Sequence, residues 1–177
     1  SPSHPKDHAP GPKNRIAQQQ VSYQNAAACN HLVNMTADSV YQNDVLAAVN
    51  IRGGYEGFPA EEFHKIGYHA IWHGQKGFNG VAILADGTMP VEVQRGLAGE
   101  PEDEHSRYLE AQVFGLRVAC IYLPNGNPQP GPKFDYKLRW MERLRRRMRE
   151  VWAEEVPAII TGDFNVSKHQ SLIQQFA

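Results

Sequence analysis

The segment FDYKLRWMERLRRRMREVWAEE, residues 134–155, constrains the fold more than any other stretch. Leu138, Met141, Leu144, Met148 and Trp152 recur at three- and four-residue spacing, so a helix here carries one apolar face that must be buried. The apolar run LRVACIYLP lies upstream, and Ala158, Ile159 and Ile160 follow Pro157 directly. A long amphipathic helix set among short apolar strands predicts an α/β domain.

The remaining segments extend that pattern. PAEEFHKIG reads as a short helix with Pro59 at its start, acids in its first turn and Gly67 as its C-cap. YHAIWHG and GVAILA read as strands around the turn-forming GQKGFNG. RYLEAQVF alternates in polarity, and Gly115 joins it to LRVACIYLP as a hairpin. Residues 1–20 hold four prolines and almost no apolar side chains, which predicts a disordered tail ahead of a domain over 21–177. Between them, MTADSVYQ suggests a helix and DVLAAVN a short buried strand.

Composition narrows the function classes. The 177 residues suffice for one domain, and 41% hydrophobic with 21% charged residues suits a soluble globular chain. A formal net charge of -1 provides no global basic field for nucleic acid, so a polyanion must be met by local clusters. No apolar run reaches the roughly 18 residues of a membrane helix, so no membrane partner is expected. Cys29 and Cys120 form neither a disulfide framework nor a zinc quartet, which points to a reducing cytoplasm and a monomer.

Several residues can carry chemistry. AIITGDFNVS ends an apolar strand in Asp163 and Asn165, two positions apart, so an extended backbone would aim both side chains the same way. A carboxylate and an amide there can orient water or a cation and donate to a developing charge; equally, the pair can close an Asx-turn. YLPNGN ends another apolar strand with Tyr122, followed by Asn125. Arg107 and Lys133 are either surface charges or phosphate contacts. Arg143, Arg145, Arg146, Arg147 and Arg149 form either a solvated helix face or a phosphate-binding one. His69 and His73 share a strand face but lack a third zinc ligand at a recognisable spacing, and GQKGFNG is not a nucleotide P-loop.

GYHAIWHGQKGFNGVAIL, RYLEA, IYLPNGNPQPGPKFDYKLRWMERL and GDFNV, in that order and spacing, closely resemble exodeoxyribonuclease III. These are DNA-repair nucleases and AP endonucleases of the endonuclease/exonuclease/phosphatase superfamily. The resemblance covers roughly residues 42–166. It implies a four-layer sandwich of two mixed β-sheets flanked by helices. It also implies a Mg2+- or Mn2+-dependent phosphodiesterase acting on duplex DNA, as 3′-5′ exonuclease or abasic-site endonuclease. By position, Asp163 would orient or deprotonate the attacking water and Asn165 would hydrogen-bond the phosphate. Tyr122 would contact the scissile phosphate, and Arg107, Asn125 and Lys133 would line the DNA-facing surface.

Three departures shape the expectation for this chain. The family's metal-holding Glu falls on Asn50, a neutral amide where a hard cation prefers charged oxygen. The family's first-strand Asn motif is replaced by VSYQN, and no role passes to Tyr23 or Gln24. After Val166 the sequence reads SKHQSLIQQFA where the family continues toward a further Asp and an Asp-His pair. The second sheet would then expose an edge and apolar surface. The expectation is an incomplete, degenerate copy with little or no catalysis. A catalytically dead DNA-binding module using the arginine helix and Lys133 is one alternative, and another phosphodiesterase of the superfamily is the second. YLPNGN resembles the DNA-repair branch of that superfamily.

Overall fold

The computed structural model describes residues 31–36, 44–51 and 56–166. Eight strands and two helices follow in chain order: β1 (His31–Thr36), β2 (Asp44–Val49), α1 (Ala60–Lys65), β3 (Tyr68–His73), β4 (Val81–Asp86), β5 (Val91–Arg95), β6 (Tyr108–Val113), β7 (Leu116–Tyr122), α2 (Pro132–Ala153) and β8 (Ala158–Asp163). The expected tail over 1–20 lies outside the described residues. Met35 and Thr36, read above as the start of a helix, instead finish β1; the rest of that helix lies outside the described residues.

The strands form two four-stranded sheets, ordered β1-β2-β4-β3 and β5-β6-β7-β8. The first is antiparallel throughout. Only the second is mixed, because α2 returns the chain to lay β8 parallel to β7. The expectation of two mixed sheets is corrected on this point: tight connections make antiparallel neighbours, whereas a parallel neighbour needs a long crossover, and α2 is the only long helix among the described residues.

Side-chain alternation divides the core into three layers of contact. Val45, Ala47 and Val49 of β2 meet Leu109, Ala111, Val118 and Cys120 of the opposite sheet. The intervening Leu46 and Ala48 turn the other way, toward Phe58, Phe63 and α1. Tyr108, Ala119 and Ile121 pack outward on Trp140 and Leu144 of α2. The result is helix, sheet, sheet, helix. β4 is buried along Val81–Ala85 because both of its faces are covered. Each fully buried Ile or Leu there contributes about 1.5–3 kcal/mol relative to exposure.

The helix stripe differs from the one read in the sequence. Leu138 is 43% exposed and Trp152 87% exposed, while Lys137, Trp140, Arg143, Leu144 and Val151 are buried, with Met141 and Met148 packed alongside. The buried face is rotated because two charged residues, Lys137 and Arg143, lie on it with their heads paired, and hydropathy alone excludes them. The β6–β7 hairpin turns at Phe114 and Gly115, both at positive φ, as a two-residue turn of this hand requires. The last residue of α1 is followed by Ile66 as C-cap, and Gly67 lies one position later at φ +96°. Among the described residues β8 is the last strand of its sheet, and Trp152 is exposed.

Candidate active site

A run of backbone hydrogen bonds crosses one end of the sandwich. Leu123 N–H donates to the Asp163 carbonyl at 2.8 Å, and Tyr122 N–H to the Arg107 carbonyl at 2.8 Å. Gly80 N–H donates to the Ser106 carbonyl at 2.7 Å, and Ile51 N–H to the Gly80 carbonyl at 3.4 Å. Asn50, Arg107, Tyr122 and Asp163 therefore share that end. Two glycines permit the close approach. A Cβ on Gly80 would lie 2.7 Å from the Ile51 carbonyl oxygen, and one on Gly162 2.0 Å from that of Ile121.

Tyr122 and Asp163 are direct register partners across the parallel β7–β8 pair. Arg107 completes a third position. Its guanidinium lies 5.0 Å from the Tyr122 ring centroid, and Nη1 donates to the Tyr122 carbonyl at 3.1 Å. Its Nε is buried without a partner among the described residues. Burial lowers the Arg107 pKa, and the neighbouring Tyr136, Tyr122 and Asp103 offset that only in part.

Asn165 does not extend the strand. It sits at φ +46°, its N–H donates to Asp163 Oδ1 at 2.8 Å, and its side-chain Nδ2 donates to the Leu123 carbonyl at 2.7 Å. Of the two readings open from the sequence, the Asx-turn describes this backbone, and the extended alternative does not. The left-handed backbone lets the amide tie the β8 loop to the β7 loop.

Asn125 is exposed; its side-chain oxygen accepts from Asn127 N–H at 3.2 Å. Lys133 is exposed on the first turn of α2. Sequence reasoning missed Lys137. Its ammonium donates to the carbonyls of Asn125 at 3.3 Å and Asn165 at 3.0 Å, bridging both strand-end loops. Burial lowers its pKa, while the nearby Asp163 carboxylate acts in the opposite direction. Its place three residues before Trp140 on the helix was the available signal.

The helix arginines are mostly committed to the protein itself. Arg143 Nη1 pairs with Asp103 at 2.6 Å and Glu100 at 3.2 Å, and its other nitrogens reach the Leu97 and Ala98 carbonyls. Arg147 pairs with Glu110 at 2.8 Å, and Arg145 with Glu142 at 2.5 Å. Arg146 comes within 4.0 Å of Glu142. A phosphate-binding face made of all five arginines does not form: Arg143, Arg145, Arg146 and Arg147 already have carboxylate partners.

A divalent cation is poorly served here. Among the described residues no three His, Cys, Asp or Glu side chains gather as a metal cage. Asp163 is the carboxylate of the β8 end, and Asn50, at φ +57°, offers a neutral amide. Among the described residues that is one carboxylate with a neutral amide, the low end of the one or two carboxylates by which magnesium is held.

No family model matches the sequence. Exodeoxyribonuclease III of Haemophilus influenzae is 34% identical over 132 residues, which is 72% of this chain and 49% of that protein. The chain thus spans about half the length of this curated relative. Among solved structures, the 3′ phosphatase NExo from Neisseria bound to a product DNA hairpin superposes with a TM-score of 0.66 at 34% identity, covering 69% of this chain and 47% of that one. An AP endonuclease from Archaeoglobus fulgidus gives 0.63 at 38% identity over the same shares of the two chains. The 3′-5′ exonuclease NExo from Neisseria meningitidis gives 0.68 at 31% identity, covering 86% of this chain and 54% of that one. With the strand order, the pairing of Tyr122 with Asp163 and these likenesses together, the chain belongs to the exodeoxyribonuclease III and AP endonuclease family.

Proposed function

We propose that this chain carries a DNA-phosphate-contacting portion of an exodeoxyribonuclease III-type repair site and that, by itself, it hydrolyses DNA weakly or not at all. The observation that carries the reading is the register pairing of Tyr122 with Asp163, with Arg107 seated on Tyr122. A phenol, a carboxylate and a guanidinium at one strand end suit a phosphate diester and the water that attacks it. The Arg107 cation would offset phosphate charge, and the Tyr122 hydroxyl would donate to a phosphate oxygen. Asp163 would accept a proton from water. Asn165 gives one amide N–H to the Leu123 carbonyl and its backbone N–H to Asp163, and its second amide N–H would donate to the phosphate. Asn125 and Lys133 would border the duplex.

The donor shortfall around Asn50 supports weak hydrolysis, because the main negative charge expected of a cation site is missing. No step is assigned to a metal. The test is cleavage of an abasic-site duplex in millimolar magnesium by this chain and its Asp163→Ala variant. Little or no cleavage is expected from either. Robust magnesium-dependent cleavage that disappears in Asp163→Ala would overturn the impairment. Asn50→Glu alone is expected to restore nothing, since one added carboxylate still leaves the donor set sparse.

A further inference from the structure

A second constellation adjoins the Arg107–Tyr122 pair and is used by none of the roles above. Asp103, whose side chain is 4% exposed, accepts from Arg143 at 2.6 Å and from the Tyr136 hydroxyl at 3.0 and 3.1 Å. It also holds His105: Nδ1 lies 3.0 Å from Asp103 Oδ1, and His105 N–H donates to the same oxygen at 3.3 Å. The His105 ring packs edge-on against Tyr136 with centroids 5.5 Å apart, yet its side chain stays 42% exposed. Tyr136 also lies beside Arg107, and Arg107 rests on Tyr122. His105, Tyr136, Arg107 and Tyr122 thus form one continuous contact chain ending at the candidate phosphate position.

We propose that His105 is a further substrate-binding residue, an Asp103-held ring that contacts a DNA backbone phosphate next to the one met by Arg107 and Tyr122. The inference rests on the duplex-DNA reading given above. Both of the ring's hydrogen bonds to described residues use Nδ1, with Asp103 and with the Tyr136 hydroxyl, so Nε2 remains for a ligand. When the ring is protonated and gives Nδ1–H to the carboxylate, Nε2–H is a donor, and a phosphate oxygen is an acceptor. Asp103 fixes the ring plane and so reduces the entropy lost on binding. Its own charge is countered by Arg143, and that of Glu100 by Arg139 and Arg143. Glu102 and Glu104 on the same loop are exposed acids that oppose a polyanion. His105 would therefore be the local attractive contact on an otherwise acidic loop.

The experiment measures binding of an abasic-site duplex to the full chain by fluorescence anisotropy across a salt series. Unsubstituted chain, His105→Ala, Arg107→Ala and Arg145→Ala are compared, and thermal melts check folding. Loss of one phosphate contact should weaken His105→Ala about five- to tenfold and flatten the dependence of log affinity on log salt by up to about 0.9. Arg145→Ala should change neither quantity, since that cation is already paired with Glu142. If Arg107→Ala weakens binding while His105→Ala matches the unsubstituted chain, the His105 proposal fails and the DNA reading stands. Weaker binding by His105→Ala with an unchanged salt slope also overturns it, because a merely structural role moves affinity without moving the ion count. No binding by the unsubstituted chain at low salt overturns both readings.

Discussion

Two charged regions of the second sheet sit a few residues apart and obey different rules. Beneath the C-terminal half of α2, Glu110 is fully buried and receives Arg117 at 2.7 Å, Arg147 at 2.8 Å and the Tyr108 hydroxyl at 2.6 Å. Glu154 closes the cluster on Arg117 at 2.6 Å. At the opposite end of the same strands, Arg107 keeps a buried Nε unpartnered and Tyr122 remains half-buried at the surface. A buried charge without full pairing is costly, so the satisfied cluster stabilises the sheet, whereas Arg107 leaves one polar atom unsatisfied among the described residues.

The largest way to break that contrast is Glu110→Gln. It leaves Arg117 and Arg147 without their shared carboxylate, and stability to urea should fall by about 3–5 kcal/mol. A loss below about 1 kcal/mol would mean the cluster is only superficially electrostatic.

Acid supplies a second test of the same cluster. Burial alone would raise the Glu110 pKa, but hydrogen bonds from Arg147, Tyr108 and Arg117 outweigh it and hold the folded value below the ordinary 4.5. Its contribution is therefore complete above about pH 4.5 and is lost as pH falls through the lower folded value. Asp103 has the same sign: burial raises, and Arg143 and Tyr136 more than compensate. Urea melts should show the gap between the unsubstituted chain and Glu110→Gln narrowing as pH drops below that point. A gap that widens in acid would contradict the assignment.

The site end should respond in reverse. Arg107→Met removes a buried, partly unsatisfied cation while keeping most of its length, so stability should move by no more than about 1 kcal/mol. Affinity for duplex DNA should fall at the same time. Loss of several kcal/mol would place Arg107 with Glu110 as an architectural charge. Smallest of all, Arg145→Ala breaks an exposed pair with Glu142 and should leave the urea midpoint unchanged.

Much of the architecture was legible from residue order. The apolar runs at 81–85 and 116–122 could only be buried strands, and the long helix between β7 and β8 supplied a crossover. Phe114-Gly115 announced a tight turn because Gly relieves the positive φ there. The helix face was misjudged where hydropathy and burial part company: Lys137 and Arg143 bury their stems and pair their heads, while Trp152 is left outside. Asp163 and Tyr122 were readable from strand ends. Asp103, His105 and Tyr136 were not, since residues 103 and 136 meet only after α2 folds back over the β5–β6 loop.

Local periodicity and turn chemistry depend on near neighbours, so spacing was enough to place most strands and the long helix, while the family came from the resemblance of the quoted motifs. Partnership among charges is different. Glu110 and Arg147 stand 37 residues apart, and Asp103 and Arg143 stand 40 apart. Whether such an arginine binds a phosphate or a buried carboxylate depends on distances of about 3 Å and on the exclusion of water, and both are created only when the layers pack. The same holds for Asn165, whose amide reaches the Leu123 carbonyl at 2.7 Å only once the β7 loop packs beside it.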